Sequence, residues 1–182
     1  MDLHTENNGV ARELTTNRLF LRPLTKADLP TVVTLVGDYD VSKMLAPVPH
    51  PYTINDAIDF LEMDARGELD VLWIITHNDT VVGAISIGKE LGYWLGRPFW
   101  GQGFMTEAGI AAIDAYFTGR DVDTIQSSHF VENVGSQNVL RKLGFVDVGA
   151  HEHFSQARHA KVAGRQLQLT RQDWTMRPHC TA

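Results

Sequence analysis

Apolar and polar positions change period several times along this chain, and each change predicts an element. Arg18-Leu-Phe-Leu-Arg22 is a short β-rich run, and Val32, Val33 and Val36 then recur at helical spacing between a Thr25 cap and a Gly37 stop. A second helix is predicted after Thr53, where Asp56 stands at capping-box distance, Ile54, Ile58 and Leu61 form a stripe, and Gly67 lies beyond the end. Residues 70–88 hold two β-rich runs around the polar His77-Asn-Asp-Thr80, the pattern of an antiparallel hairpin, and 90–96 adds a third strand. Ala108, Ile110, Ala112, Ile113, Tyr116 and Phe117 then give a helix with a small-residue face suited to packing on a sheet. Residues 124–130 alternate as a strand. The helix after them ends at Gly144, with Phe145 placed to touch Leu140. "VDVG" at 146–149 and "RQLQLT" at 165–170 are further strands. The order β-α-α-β-β-β-α-β-α-β-β, without repeats or linkers, predicts one α/β domain.

Composition narrows the function classes. A chain of 182 residues buries roughly two thirds of its unfolded surface and needs no disulfide or metal staple. The single Cys180 excludes an intramolecular disulfide and reads as a tail residue. The first 14 residues carry acids and amides where a signal peptide has basic then apolar residues, and runs such as "VLWII" are too short to span a bilayer. A cytoplasmic protein without a membrane partner is expected. Net charge is −6, which argues against nucleic acid, whose phosphates need a basic footprint. Residues 1–150 hold 11 Lys and Arg against 20 Asp and Glu, whereas 151–182 hold 5 against 2. The acidic body is either an attractor for a cationic substrate or a solvated surface.

One stretch asks for a chemical explanation: "RPFWGQGFMTEA" at 97–108 places Gly101 and Gly103 where a helix begins. A strand, a glycine turn and a helix start together deliver unpaired amides and a positive dipole end, which suits phosphate oxygens. An ordinary tight connection uses the same residues. No Lys-Ser/Thr follows as a P-loop requires. A dinucleotide fold would want Gly at Thr106 and an acid at the far end of the next strand, whereas Asp121 and Asp123 precede it.

"LGYWLGRPFWGQGFMTEA" followed by "ENVGSQNVLRKLGF" resembles the GNAT superfamily of acyl-CoA-dependent N-acetyltransferases, in the branch of the RimJ and RimL ribosomal-protein N-terminal acetyltransferases. "TNRLFLRPLTKADL" and "LTRQDW" extend the likeness over residues 14–174, leaving 1–13 and 175–182 as flexible termini. The resemblance implies a single-domain GNAT-like fold, a mixed, mostly antiparallel twisted sheet flanked by about four helices. It also implies acetyl-CoA as co-substrate, its pyrophosphate on amides of the turn at Gly101, Gln102, Gly103, Phe104, Met105 and Thr106. Trp100 stands where the wider family has Gln or Arg and Met105 where it has a small residue, so only the backbone contact carries over there. Tyr93, Trp94 and Leu95 match the strand that splays from its neighbour to pair with the pantetheine arm; plain strand core is the other explanation for Tyr93 or Trp94. Asn133 and Asn138 match positions that hold the cofactor arm. Ser136 matches a hydroxyl that protonates departing CoA, and by its place is also a candidate helix cap.

The implied reaction is attack of a neutral amine on the thioester, with backbone amides at 94–95 stabilising the oxyanion. Deprotonating a lysine-like amine of pKa about 10.4 near pH 7 costs about 4.6 kcal/mol, against about 1 to 1.4 kcal/mol for an α-amine of pKa about 7.7–8.0. Glu90 and His153 are the candidate bases. His151, Glu152, His153 and His159 lack the spacing of a closed metal site, and no metal is expected. The acceptor is expected to be a peptide or protein N-terminus; a small-molecule amine such as an antibiotic or polyamine, and a non-catalytic acyl-CoA-binding role, are the alternatives. Segments 40–53 and 150–165 are expected to be the loops that shape the acceptor pocket. A homodimer is left open.

Overall fold

The computed structural model describes residues 6, 7 and 9–177. Short strands β1 (Glu6–Asn7) and β2 (Val10–Ala11) pair with each other ahead of the main sheet, and β3 (Leu14–Thr15) and β4 (Phe20–Arg22) enter it. Thr25 caps a 3₁₀ turn at Lys26–Asp28, where Arg22 donates to both oxygens of buried Asp28 at 2.7 and 2.8 Å. From that turn α1 (Leu29–Val36) runs to its stop at Gly37. The four-residue α2 (Tyr39–Ser42) follows, and α3 (Ile54–Ala65) starts on the Thr53–Asp56 capping box.

Strands β5 (Val71–His77) and β6 (Thr80–Ile87) form the expected hairpin. Asn78 and Asp79 both hold positive φ, as a two-residue turn matched to strand twist requires. Then come β7 (Leu91–Leu95), α4 (Phe104–Gly119), β8 (Thr124–Phe130) and α5 (Val134–Lys142). Gly144 at φ +89° ends α5, and the Phe145 amide donates to Leu140 O at 3.0 Å. The chain continues through β9 (Val146–Ser155), β10 (Ala160–Thr170) and α6 (Arg171–Met176).

The eight-stranded sheet runs β3-β4-β5-β6-β7-β8-β10-β9, antiparallel except between β7 and β8. Alternation along β5 divides the core. Val71, Trp73 and Ile75 pack with α4, α5 and α6, while Leu72 and Ile74 pack with α1 and α3. Gly109 brings α4 close to α5, since a Cβ there would stand 2.8 Å from a Leu143 methyl.

Several expectations change. Four helices have eight or more residues, as anticipated, and α2 and α6 are additional. The face α3 buries is centred on Ala57, with Phe60 and Leu61 partly covered; Ile54 and Ile58, on the expected stripe, are exposed because α1 packs on the other side. Ile110 on α4 is exposed too. Residues 150–165 are mostly strand, because β9 and β10 pair along their length, so only their turn is a loop. At the ends, Val10 is fully buried and Trp73 Nε1 donates to Ala11 O at 3.1 Å, so the ordered fold begins before residue 14. Trp174 is buried and donates to Asp114 at 2.7 Å, docking α6 on α4. Cys180 lies outside the described residues. Among the described residues no helix is long and apolar enough to cross a membrane.

Candidate active site

The sheet opens where β7 leaves β8. β7 pairs with β6 from Leu91 to Leu95 but meets β8 at one position, Leu91 opposite Ser127. Ser127 Oγ donates to Leu91 O at 2.8 Å at the apex of the resulting V. Peptide groups alternate sides along a strand, so those of residues 93 and 95 follow that of 91 toward the gap. The Gly96 amide donates to Val82 O at 2.9 Å, and a Cβ on Gly83 would lie 2.2 Å from Trp94 O; the even-numbered groups therefore face β6. This alternation turns the Trp94 amide away from the gap, and its side chain packs with the α1 and α3 core. Of the two amides expected to act together at 94–95, only that of Leu95 faces the gap, and that of Tyr93 faces it as well. Leu95 O accepts from Trp100 Nε1 at 2.8 Å, which folds the indole back on the strand end.

Beyond a 3₁₀ turn at Arg97–Phe99, Gly101 and Gly103 hold φ of +74° and +79°, and Gly103 is the N-cap of α4 without a side chain to offer its amides. A Cβ on Gly101 would meet nothing within 4 Å, and one on Gly103 only Arg18 Nη2 at 3.4 Å. That open space beside donor amides fits a pyrophosphate. Phe104 and Met105 bury their side chains in the core and present only backbone outward, Thr106 is half-buried, and Gln102 donates to Pro98 O. Arg18 was not singled out by the sequence. Its Nη1 donates to Gln102 O at 3.0 Å, its Nε pairs with Glu107 at 2.7 Å, and its guanidinium lies 4.8 Å from the Phe104 ring centre. No short-range pattern links residue 18 to residue 102.

On the other arm of the V, Asn133 is the cap of α5, its Oδ1 accepting from the Ser136 amide at 3.0 Å. Ser136 is therefore inside the first turn, and the alternative that it is the cap is removed. Its Oγ lies 2.8 Å from the Tyr93 hydroxyl, which also donates to Ser136 O at 3.2 Å. Burial pushes the Tyr93 phenol well above its ordinary pKa, so it stays protonated. Asn138 is exposed and outside the lining of the cleft.

A cleft of about 730 Å³ runs from this opening between the sheet and α1 and α3. Residues 44–49 and Tyr52 line it, as expected of the 40–53 segment, together with Asp56, Asp59 and Met63 of α3. The Tyr52 phenol is pushed up to about 12, by burial first and then by Asp56 and Asp59. The β9–β10 turn clasps this wall: the Gln156 amide donates to Ala46 O at 3.0 Å, and Arg158 donates to Lys43 O at 2.8 Å while pairing with Glu132.

Glu90 and His153, distant in sequence, meet in the cleft through a residue the sequence did not mark. His153 Nε2 lies 3.0 Å from Ser128 Oγ, which lies 3.3 Å from Glu90 Oε2. The His151 and His153 ring centres are 4.1 Å apart, edge to face. Burial first, then the charge of His151, hold the His153 pKa below the usual imidazole value against the opposing pull of Glu90. The ring is therefore neutral, and available as a base, near pH 7.

Residues 18–146 match the acetyltransferase (GNAT) domain family, well over half of the chain. An uncharacterized N-acetyltransferase of Bacillus licheniformis, p20, is 26% identical over 174 residues, covering 88% of this chain and 97% of that protein. The fold superposes on RimJ of Mycobacterium smegmatis, solved in complex with CoA-disulfide, with a TM-score of 0.74 at 18% identity, over 85% of this chain and 83% of that one. A Salmonella typhimurium acetyltransferase that modifies the N-terminal serine of a 50S ribosomal subunit protein gives a TM-score of 0.73 at 17% identity, over 85% and 96%. The split between β7 and β8, the glycine turn at the head of α4 and the family match over both agree: the chain belongs to the GNAT family of acetyltransferases.

Proposed function

We propose that this enzyme transfers an acetyl group from acetyl-CoA to the N-terminal α-amine of a peptide or protein. The observation that carries the proposal is the V between β7 and β8, which joins an open, amide-rich glycine turn to a cleft holding Ser136 and His153. Acetyl-CoA supplies the acyl group as a thioester. The turn from Gly101 to Thr106 holds its pyrophosphate on backbone amides, Arg18, paired with Glu107, brings its Nη2 donor beside Gly103, and Asn133 borders the arm. Asn138, exposed on α5, has no part in this arrangement. The amides of Tyr93 and Leu95 face the reacting carbonyl, and one well-placed donor of this kind contributes about 3 to 4 kcal/mol to the transition state.

As the new C–N bond forms, His153 takes the surplus proton from nitrogen. As the C–S bond breaks, Ser136 gives its hydroxyl proton to sulfur, and the Tyr93 O–H turns from the carbonyl of residue 136 to the Ser136 hydroxyl oxygen as charge develops there. Solvent returns the proton from His153 to Ser136, so the products are the amide and free CoA thiol. An α-amine needs only about 1 to 1.4 kcal/mol of deprotonation near pH 7, which suits a neutral imidazole better than the roughly 4.6 kcal/mol of a lysine. Resemblance to N-terminal acetyltransferases supports the same acceptor.

A peptide with one free N-terminus and one lysine, incubated with acetyl-CoA and analysed by mass spectrometry, is expected to carry acetyl on the N-terminus. Acetyl on lysine rejects the α-amine. Acetylation of neither amine, with rapid reaction of a small polyamine, favours the second reading, for which Asp56 and Asp59 on the cleft supply negative charge. His153→Ala is expected to lower kcat/KM less than about threefold at pH 8.5 and about tenfold at pH 6.5. The sign follows from the acceptor, which is mostly neutral at the higher pH and needs a base at the lower, where the depressed His153 pKa keeps the ring active. Equal losses at both pH values would reject this assignment.

A further inference from the structure

We infer that Ser128 is a positioning residue, tying Glu90 to His153 and setting the imidazole tautomer so that Nδ1 is its free basic nitrogen; the catalytic meaning rests on His153 as base. Ser128 projects from β8 into the cleft that Glu90, just ahead of β7, and His153, on β9, also line. A serine hydroxyl has one proton and two lone pairs, and an ionised carboxylate only accepts. With Glu90 Oε2 at 3.3 Å, the Ser128 proton points to Glu90. The Ser128 oxygen then has only lone pairs for His153 Nε2 at 3.0 Å, so Nε2 carries the hydrogen. A neutral imidazole has one N–H, which leaves Nδ1 as a lone pair, and among the described residues no group hydrogen-bonds to it.

The surroundings hold this arrangement. His151, on the same strand, faces the ring edge at 4.1 Å, Phe130 of β8 stands at 6.4 Å, and Val162 of β10 is the cross-strand partner of His153. Glu90 and His151 are thus the titratable groups facing His153, of opposite influence on its proton. When Nδ1 takes a proton from the acceptor, the Nε2–H donates to Ser128, and Ser128 to Glu90. The carboxylate is thereby coupled to the imidazolium without touching it. Without the hydroxyl, no hydrogen bond among the described residues distinguishes the two ring nitrogens.

Long-range ¹H–¹⁵N spectra of the full chain labelled at histidine, at pH 7.5, read the tautomer directly, with His153 assigned by its loss in His153→Gln. The expected wild-type form has hydrogen on Nε2, Ser128→Ala gives a mixture of tautomers, and Ser128→Thr restores the single form. In turnover at pH 6.5, Ser128→Ala is expected to lower kcat/KM about three- to tenfold at unchanged acetyl-CoA affinity, with no further loss when added to His153→Ala. A wild-type ring protonated on Nδ1, or a tautomer unaffected by Ser128→Ala, overturns the inference whatever the activity. The expected tautomers together with unchanged turnover in His153→Ala would instead overturn His153 as the base and leave the hold of Ser128 on the ring standing.

Discussion

Ser136→Ala is expected to lower kcat by roughly 10²-fold or more while acetyl-CoA affinity stays close to that of the wild type, the pattern of a lost general acid. The structure makes the test clean. The cap of α5 is Asn133, which accepts from the backbone amide of residue 136, and alanine keeps that amide. The Tyr93 hydroxyl loses its 2.8 Å partner but retains the carbonyl of residue 136 at 3.2 Å. The stability cost is therefore that of one neutral hydrogen bond, about 1 kcal/mol. Thiol release under saturating substrates gives kcat, calorimetry gives affinity, and thermal melting gives stability. A lower melting temperature with kcat unchanged rejects the catalytic role, and leaves Ser136 as a packing partner of Tyr93.

Gly103→Val is expected to weaken acetyl-CoA binding at least tenfold, equivalent to about 1.4 kcal/mol. Two effects act together. The residue holds φ +79°, where a side chain costs about 1–2 kcal/mol, more so for a β-branched one. The new methyls also enter the space beside the turn, where the one neighbour within 4 Å is the flexible end of Arg18. The protein can move Arg18 aside, whereas a pyrophosphate has no substitute for close approach to the amides. Circular dichroism separates a folded variant from a collapsed one. Unchanged affinity in a folded Gly103→Val protein would sink the assignment of the turn.

Whatever was written within a few consecutive residues could be read in advance. The Thr53–Asp56 capping box, the Asn78–Asp79 turn, the Gly144–Phe145 stop and the glycines at 101 and 103 are each built from short-range hydrogen bonds or one residue's dihedral angles. Their physics is local, and so is their signature. The family likeness extended this to Ser136 and Tyr93, which the fold places in contact.

The remainder depended on which elements become neighbours. Arg18 reaches Gln102 and Glu107, and Ser128 joins Glu90 to His153, across separations that no periodicity spans. Ile54 and Ile58 fit a buried stripe as well as Ala57 does, and the packing of α1 chose between them. β9 shows little alternation in burial because it is an edge strand held by its ladder to β10. Sequence by itself determined where the chain bends, caps and exposes its amides, because those energies lie within a turn of backbone. Only the tertiary structure decided which peptide groups of β7 face the gap, which residue caps α5 beside the cleft and which hydroxyl aims His153, because each depends on a partner brought close by folding.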